Sequence, residues 1–201
     1  RDWSSDVSSS DLRNTAIGPN SLKCNTTGIG NTALGYVALF SNTVGLNNTA
    51  VGLKALKCNT ASSNTAVGTC ALYSNTTGVN NTAIGVRSLR YNTYGQNNTA
   101  VGTYALEDNI SGGNNTALGF NALNKNTTSN NTAVGYNALY DNTTGASNIA
   151  IGFEALKLNS VGSRNAAVGT SALNNNTTSD NTAVGYAALY NNTTEIGRAH
   201  V

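Results

Sequence analysis

The chain has little charge, one proline and no methionine, and these shortages exclude several classes of protein. Only 10% of its 201 residues are charged, and the formal net charge is +2. A surface that binds nucleic acid or an anionic membrane by electrostatics needs a cluster of like charges, and the sequence contains none. No apolar run approaches the ~18 residues that cross a bilayer.

Residues that commonly carry catalysis are scarce and scattered. The only histidine is His200, and the acidic residues fall at variable positions. Glu107 and Asp108 are adjacent, but two solvated loop residues are the simpler interpretation. No Cys-x-x-Cys motif is present, and Gly28-Ile29-Gly30 precedes no predicted helix, which argues against a phosphate-binding loop. The sequence therefore predicts no enzymatic activity, with no catalytic, cofactor-binding or metal-binding residues.

What the chain has in abundance is repetition. The phrase Asn-Thr-Ala-(Val/Ile/Leu)-Gly returns every 16 or 17 residues, followed by Ala-Leu (Ser-Leu in two copies) and by a loop related to Asn-Thr-Thr-Gly. Two of its eleven copies have Ile149 or Ala166 in place of the threonine. The copies begin at Asn14, Asn31, Asn48, Asn64, Asn81, Asn98, Asn115, Asn131, Asn148, Asn165 and Asn181. A fixed period of this kind indicates stacked identical units.

A unit of this length, poor in helix formers, fits one coil of β-structure. The sequence predicts an all-β fold, a parallel β-solenoid (β-roll) of about eleven rungs of 16–17 residues. We expect a short strand at the phrase, a corner at its Gly and a second short strand around Ala-Leu. The fourth residue of each phrase is predicted to point inward: Ile17, Leu34, Val51, Val67, Ile84, Val101, Leu118, Val134, Ile151, Val168 and Val184. A leucine column should meet them: Leu22, Leu39, Leu56, Leu72, Leu89, Leu106, Leu123, Leu139, Leu156, Leu173 and Leu189.

The repeats divide the chain into three parts. Residues 14–194 form the solenoid, and residues 1–13 do not repeat. This N-terminal segment is interpreted as a cap, a strand that docks onto a neighbour, or a frayed tail, because an uncovered end exposes unpaired backbone groups. Residues 195–201 also depart from the repeat. They are either a genuine tail or an artefact of sequence assembly.

Two copies of the repeat point to a family. Asn-Thr-Ala-Val-Gly-Tyr-Asn-Ala-Leu (131–139) and Asn-Thr-Ala-Val-Gly-Tyr-Ala-Ala-Leu (181–189) resemble the head repeats of YadA-like trimeric autotransporter adhesins and similar repeats of phage and viral tail fibres. The resemblance implies a left-handed parallel β-roll, often a homotrimer, displayed on a cell or virion surface. It also implies an extracellular role as an adhesin or fibre shaft. End-to-end filament growth is a second mode of self-association, and surface glycans or a host receptor are candidate partners.

N-glycosylation is the most plausible chemistry that the sequence offers. Asn-x-Ser/Thr sequons occur at Asn25, Asn47, Asn75, Asn80, Asn97, Asn109, Asn114, Asn126, Asn130, Asn142, Asn175, Asn176, Asn191 and Asn192. The competing interpretation is that a repeat rich in Asn and Thr produces sequons by chance. Stacked Asn side chains are also expected to form amide ladders between rungs.

Three further features leave alternatives open. Stacked Thr raises ice binding as a hypothesis, but the strand Thr shares its face with the aliphatic residues expected inside. Aromatic residues follow the phrase Gly at several rungs; they either bind sugars or a partner surface, or pack at the corner with their side chains solvated. Cys24, Cys58 and Cys70 are predicted to be surface or buried thiols or to form inter-chain bonds. Cys24 and Cys58 would lie ~9.6 Å apart along the axis, beyond disulfide reach within one chain.

Overall fold

The computed structural model describes residues 13–193, and this part of the chain contains eleven three-residue strands and no helix. A rung is one strand with the residues that follow it up to the next strand. The strands are β1 Thr15–Ile17, β2 Thr32–Leu34, β3 Thr49–Val51, β4 Thr65–Val67, β5 Thr82–Ile84, β6 Thr99–Val101, β7 Thr116–Leu118, β8 Thr132–Val134, β9 Ile149–Ile151, β10 Ala166–Val168 and β11 Thr182–Val184. Each strand therefore coincides with the middle of one phrase.

The strands form a single parallel sheet whose order is the order of the sequence. Each strand pairs in register with the strand of the next rung, as where Thr82 lies opposite Thr99 and Ala83 opposite Ala100. Because the strands are parallel and adjacent in sequence order, the chain must make one full turn between each strand and the next, and so it forms a coil. The predicted all-β parallel β-solenoid is confirmed.

The prediction that the fourth residue of each phrase points inward is wrong. The alanine between the two outer strand positions is buried from β2 to β11, whereas the residues on either side are exposed or half-buried. Ile17, Ile84, Ile151 and Val184 are between 41% and 57% exposed. Alternation along a strand allows only one of its two faces to be inside, and the face with Asn and Ala occupies the interior.

The physical reason lies in the first residue of the phrase. Its side chain is the partner of buried backbone groups, so it must be inside, and a period of two then places Ala inside as well. The small alanine leaves room for the leucine column, which is confirmed as core. Leu39 and its equivalents as far as Leu173 are fully buried, and only Leu189 in the last rung is partly buried.

The Ala-Leu segment is a turn and not the predicted second strand. Leu139 has φ of 51°, and Asn137 two residues earlier also has φ of 51°. The left-handed conformation costs an L-residue ~1–2 kcal/mol, while complete burial of a leucine side chain gains ~1.5–3 kcal/mol. The segment still joins its neighbours, because the Leu139 N–H donates to the Ala155 carbonyl at 3.0 Å.

The phrase glycine makes the corner between strand and turn. Gly119 has φ of +136°, and a Cβ atom there would lie 2.5 Å from the Gly135 carbonyl oxygen of the next rung. Both the backbone angle and the spacing between rungs therefore require glycine.

Candidate functional surfaces

Two columns of buried asparagine run along the roll. The phrase column, formed by the first residue of each phrase, is at most 3% exposed from Asn31 to Asn181. The inner loop column is at most 6% exposed. Its members are Asn25, Asn42, Asn59, Asn75, Asn92, Asn109, Asn126, Asn142, Asn159, Asn176 and Asn192. Such burial is tolerated because the amide nitrogens donate hydrogen bonds to buried acceptors. The side-chain oxygens of Asn109 and Asn192 are buried without a partner.

Asn98 and Asn81 show the pairing within the phrase column. The Asn98 backbone N–H and side-chain Nδ2 both donate to Asn81 Oδ1, at 3.0 and 3.1 Å. Asn98 Oδ1 accepts from the Asn115 backbone N–H at 2.9 Å. The predicted amide ladders are thus present, and they tie side chains to backbone as well as to each other.

The loop exists in two lengths, and both place a backbone carbonyl where it accepts a hydrogen bond from the buried asparagine. In the longer loop Asn42 Nδ2 donates to the carbonyl of Gly45, three residues on. In the shorter loop Asn59 Nδ2 donates to the carbonyl of Ala61, two residues on. The missing residue is therefore absorbed while the buried amide keeps its acceptor, as expected for a length change confined to a loop.

The sequon asparagines divide into a buried set and a set at the surface. Seven belong to the inner loop column: Asn25, Asn75, Asn109, Asn126, Asn142, Asn176 and Asn192. The others are exposed or, for Asn175, half-buried: Asn47, Asn80, Asn97, Asn114, Asn130, Asn175 and Asn191. We call Asn47, Asn80, Asn97, Asn114 and Asn130 the outer column; all five have positive φ, between 55° and 65°.

The outward surface of the sheet, here the strand face, carries the second and fourth residues of every phrase. Leu118, Ile151 and Val168 are 37%, 41% and 39% exposed. No strand threonine makes a side-chain hydrogen bond within residues 13–193. The strand face is therefore a regular array of aliphatic groups and free hydroxyls, which sequence reasoning had assigned to the interior.

Aromatic rings border the strand face at the residue after the phrase glycine. Phe120 and Tyr136 stack with centroids 5.4 Å apart, and Tyr136 and Phe153 stack at 5.2 Å. The three rings are 41%, 44% and 49% exposed in chain order. They form an exposed aromatic ladder over three successive rungs.

Four ion pairs join charged side chains of the described residues, three between adjacent rungs and one within a rung. Lys125 Nζ lies 2.6 Å from Asp141 Oδ1, and this hydrogen bond raises the pKa of Lys125 above its ordinary 10.5. Arg164 contacts Asp180 through two hydrogen bonds of 2.6 and 2.7 Å. Exposed pairs of this kind contribute little stability, but they favour one register between rungs.

In the part of the chain that the structure describes, no group of three or more His, Cys, Asp and Glu side chains is placed to hold a metal. His200 and the residues of the terminal segments, 1–12 and 194–201, lie outside it. Cys24 is exposed, Cys58 and Cys70 are half-buried, and all three thiols are free.

No helix among the described residues has the length and apolar character needed to cross a membrane. Comparison of the chain with protein-family models, with curated proteins and with solved structures finds no match.

Proposed function

We propose that the chain is a non-enzymatic structural protein, an extracellular fibre or adhesin shaft displayed on a cell or virion surface. The observation that carries this proposal is the uninterrupted stack of in-register rungs around a continuous core of alanine, leucine and asparagine. Eleven rungs at ~4.8 Å each make a rod ~50 Å long. Each rung is hydrogen-bonded to its neighbours along the axis, which suits a stiff shaft that resists proteases.

The strand face supports lateral self-association. Its two columns are ~7 Å apart along each strand and extend the length of the rod, giving a flat strip of about 350 Å². The largest apolar patch on a typical monomer is of about this size and is often functional. The exposed aromatic ladder widens the strip at the rungs of Phe120, Tyr136 and Phe153.

A parallel homotrimer fits this geometry. Three rods related by a threefold axis parallel to the roll would each turn the strand face inward, with every rung at the same height as its equivalents. End-to-end filament growth is the other mode of self-association. It would use the end of the last described rung, where Ala183, Ala188 and Leu189 line an open cavity of about 320 Å³.

Sedimentation and light scattering of the purified chain test the lateral arrangement. A double variant, Leu118→Lys and Ile151→Lys, changes the strand face. Its matched control, Val44→Lys and Val161→Lys, changes loop residues that are 55% and 53% exposed. We expect a trimer for the wild type and the control, and a folded monomer for the strand-face variant. A monomeric wild type, or a trimer unaffected by the strand-face lysines, would contradict lateral assembly.

A second function, binding of a regular external surface, is favoured by the free strand hydroxyls. Nine of the eleven strands carry this threonine beside an aliphatic residue on the strand face. We infer that such a column of hydroxyls would order water or contact ice, and that receptors or glycans would bind at the aromatic ladder. Oligomeric state separates the two functions, because a trimer hides the strand face. If the wild type is monomeric, ice-affinity partitioning and its loss on Thr99→Lys, with Val44→Lys unaffected, would support surface binding.

A further inference from the structure

The inner loop column combines a glycosylation sequon with a core amide, and these two roles are in conflict. Seven of its asparagines lie in Asn-x-Ser/Thr, yet they are at most 6% exposed. A glycan is bulky and belongs on a surface loop. A reaction on the unfolded chain, however, meets only the local sequence, which does not show which asparagines later become core.

Asn142 shows how completely the amide is used in the roll. Its Nδ2 donates to Asn126 Oδ1 in the preceding rung and to the Gly145 carbonyl in its own loop, both at 2.7 Å. Asn75 makes the equivalent pair to Asn59 Oδ1 at 2.6 Å and to Gly78 at 2.8 Å. Both amide hydrogens are therefore committed to acceptors that water cannot reach.

N-glycosylation replaces one of those hydrogens. A bond forms between Nδ2 and C1 of the sugar, the nitrogen loses a proton, and the pyrophosphate of the lipid-linked oligosaccharide donor departs. The modified asparagine then has one donor for two buried acceptors, and a carbohydrate occupies the position of the adjacent loop backbone. An unsatisfied buried group is costly by itself, and the close packing of the interior offers no volume for a sugar.

We propose that N-glycosylation of the inner loop column precedes folding and is incompatible with the roll, so the chain does not fold in a compartment that contains a sequon-reading oligosaccharyltransferase. The outer column does not share this restriction. Its exposed Asn80, Asn97 and Asn114 make only long amide contacts of 3.3 Å to the next rung. This inference rests on the buried amide ladder alone and stands independently of the proposed shaft function.

Natural variation among the repeats indicates substitutions that remove the inner sequons while keeping the asparagines themselves. Inner loop asparagines that are not sequons are followed two residues later by Val44, Ala61, Tyr94 or Val161. An inner-null variant copies these natural residues: Thr27→Val, Thr77→Val, Ser111→Val, Thr128→Ala, Thr144→Val, Thr178→Ala and Thr194→Val. An outer-null variant uses the serine found at equivalent positions of other rungs: Asn47→Ser, Asn80→Ser, Asn97→Ser, Asn114→Ser, Asn130→Ser, Asn175→Ser and Asn191→Ser.

Each chain is made in the bacterial cytoplasm and, behind a signal peptide, in a eukaryotic secretory pathway. Site occupancy is read by mass spectrometry, and folding by circular dichroism and the protease-resistant fraction. All three chains should fold in bacteria, which also shows that the substitutions are tolerated. In the secretory pathway the wild type and outer-null chains should lose the protease-resistant fraction, and the inner-null chain should keep it. An inhibitor of lipid-linked oligosaccharide synthesis should restore the wild type.

Two results would overturn the proposal. One is a protease-resistant roll that carries glycans on inner asparagines. The other is a wild-type chain that folds in the secretory pathway with its inner sequons unoccupied, since folding would then outrun modification.

Discussion

The side chain of Asn98 reaches across one rung and donates from Nδ2 to the carbonyl oxygen of Gly112 at 2.9 Å. The same carbonyl accepts a second hydrogen bond of 2.9 Å from Asn109 of its own loop. One backbone oxygen thus joins the phrase column of one rung to the inner loop column of the next. The buried amides are the means by which irregular loops stack as regularly as the strands.

Replacing Asn98 with leucine should destabilise the roll by about 2–4 kcal/mol, although the side chain is similar in size. The change leaves the Asn115 backbone N–H without its acceptor and removes one donor from the Gly112 carbonyl. Asn97→Asp is the matched control, because Asp180 occupies the equivalent exposed position with φ of 64°. Thermal or urea denaturation measures the stability of both variants. If Asn98→Leu is as stable as the control, the amide ladder does not stabilise the roll.

Glycine to alanine substitutions at two corners separate backbone strain from contact between rungs. Gly119→Ala brings a Cβ within 2.5 Å of the Gly135 carbonyl oxygen, whereas at Gly185 the closest described atom is Ala188 Cβ at 3.9 Å. Their φ angles are alike, +136° and +129°, so both substitutions share the cost of the backbone conformation. Gly119→Ala should lower the free energy of unfolding by at least ~3 kcal/mol more than Gly185→Ala. Equal losses would show that strain alone requires the glycine.

Truncation of one inward and one outward residue tests the corrected direction of the strand side chains. Leu139→Ala should cost ~2–5 kcal/mol, because it leaves a cavity in the core. Val134→Ala should cost the isolated rod less than ~1 kcal/mol, because Val134 is half-exposed on the strand face. Denaturation of monomeric protein checks this difference. If Val134→Ala destabilises the protein more than Leu139→Ala, Val134 points inward, as the sequence had suggested.

The pair Lys125 and Asp141 predicts a pH dependence at alkaline pH. The pKa of Lys125 is raised by its hydrogen bond to Asp141, so the stabilisation is complete below the ordinary lysine value of 10.5. It is lost as pH rises through the higher pKa of the folded state. The coupling should be below ~1 kcal/mol, because both side chains are partly exposed.

A double-mutant cycle of Lys125→Gln and Asp141→Asn, measured near neutrality and well above pH 10.5, isolates this coupling from other titrations. The coupling should be present at the lower pH and absent at the higher one. A coupling that stays constant would mean that the ion pair does not contribute.

Much of the fold was predictable because the repeat is strict. The period gave the number of rungs, the alternation of Thr-Ala-Val gave strands, and the loss of loop glycine located the length change in loops. The direction of Val134 and its equivalents was not predictable from hydrophobicity, because a buried leucine and an exposed valine are equally apolar. The buried position of Asn142 was not predictable either, because its glycosylation sequon is typical of a residue on a surface loop.

By itself the sequence determined that this chain is a stack of identical β-rungs with leucine inside, since periodicity constrains each unit to repeat its neighbour's conformation. Only the tertiary structure decided which face of each strand is core. That choice depends on where the buried carbonyls and N–H groups of the loops lie, because the asparagines must reach them. Once Asn98 and its equivalents turn inward, alanine follows, and threonine and valine are left to form the outer surface.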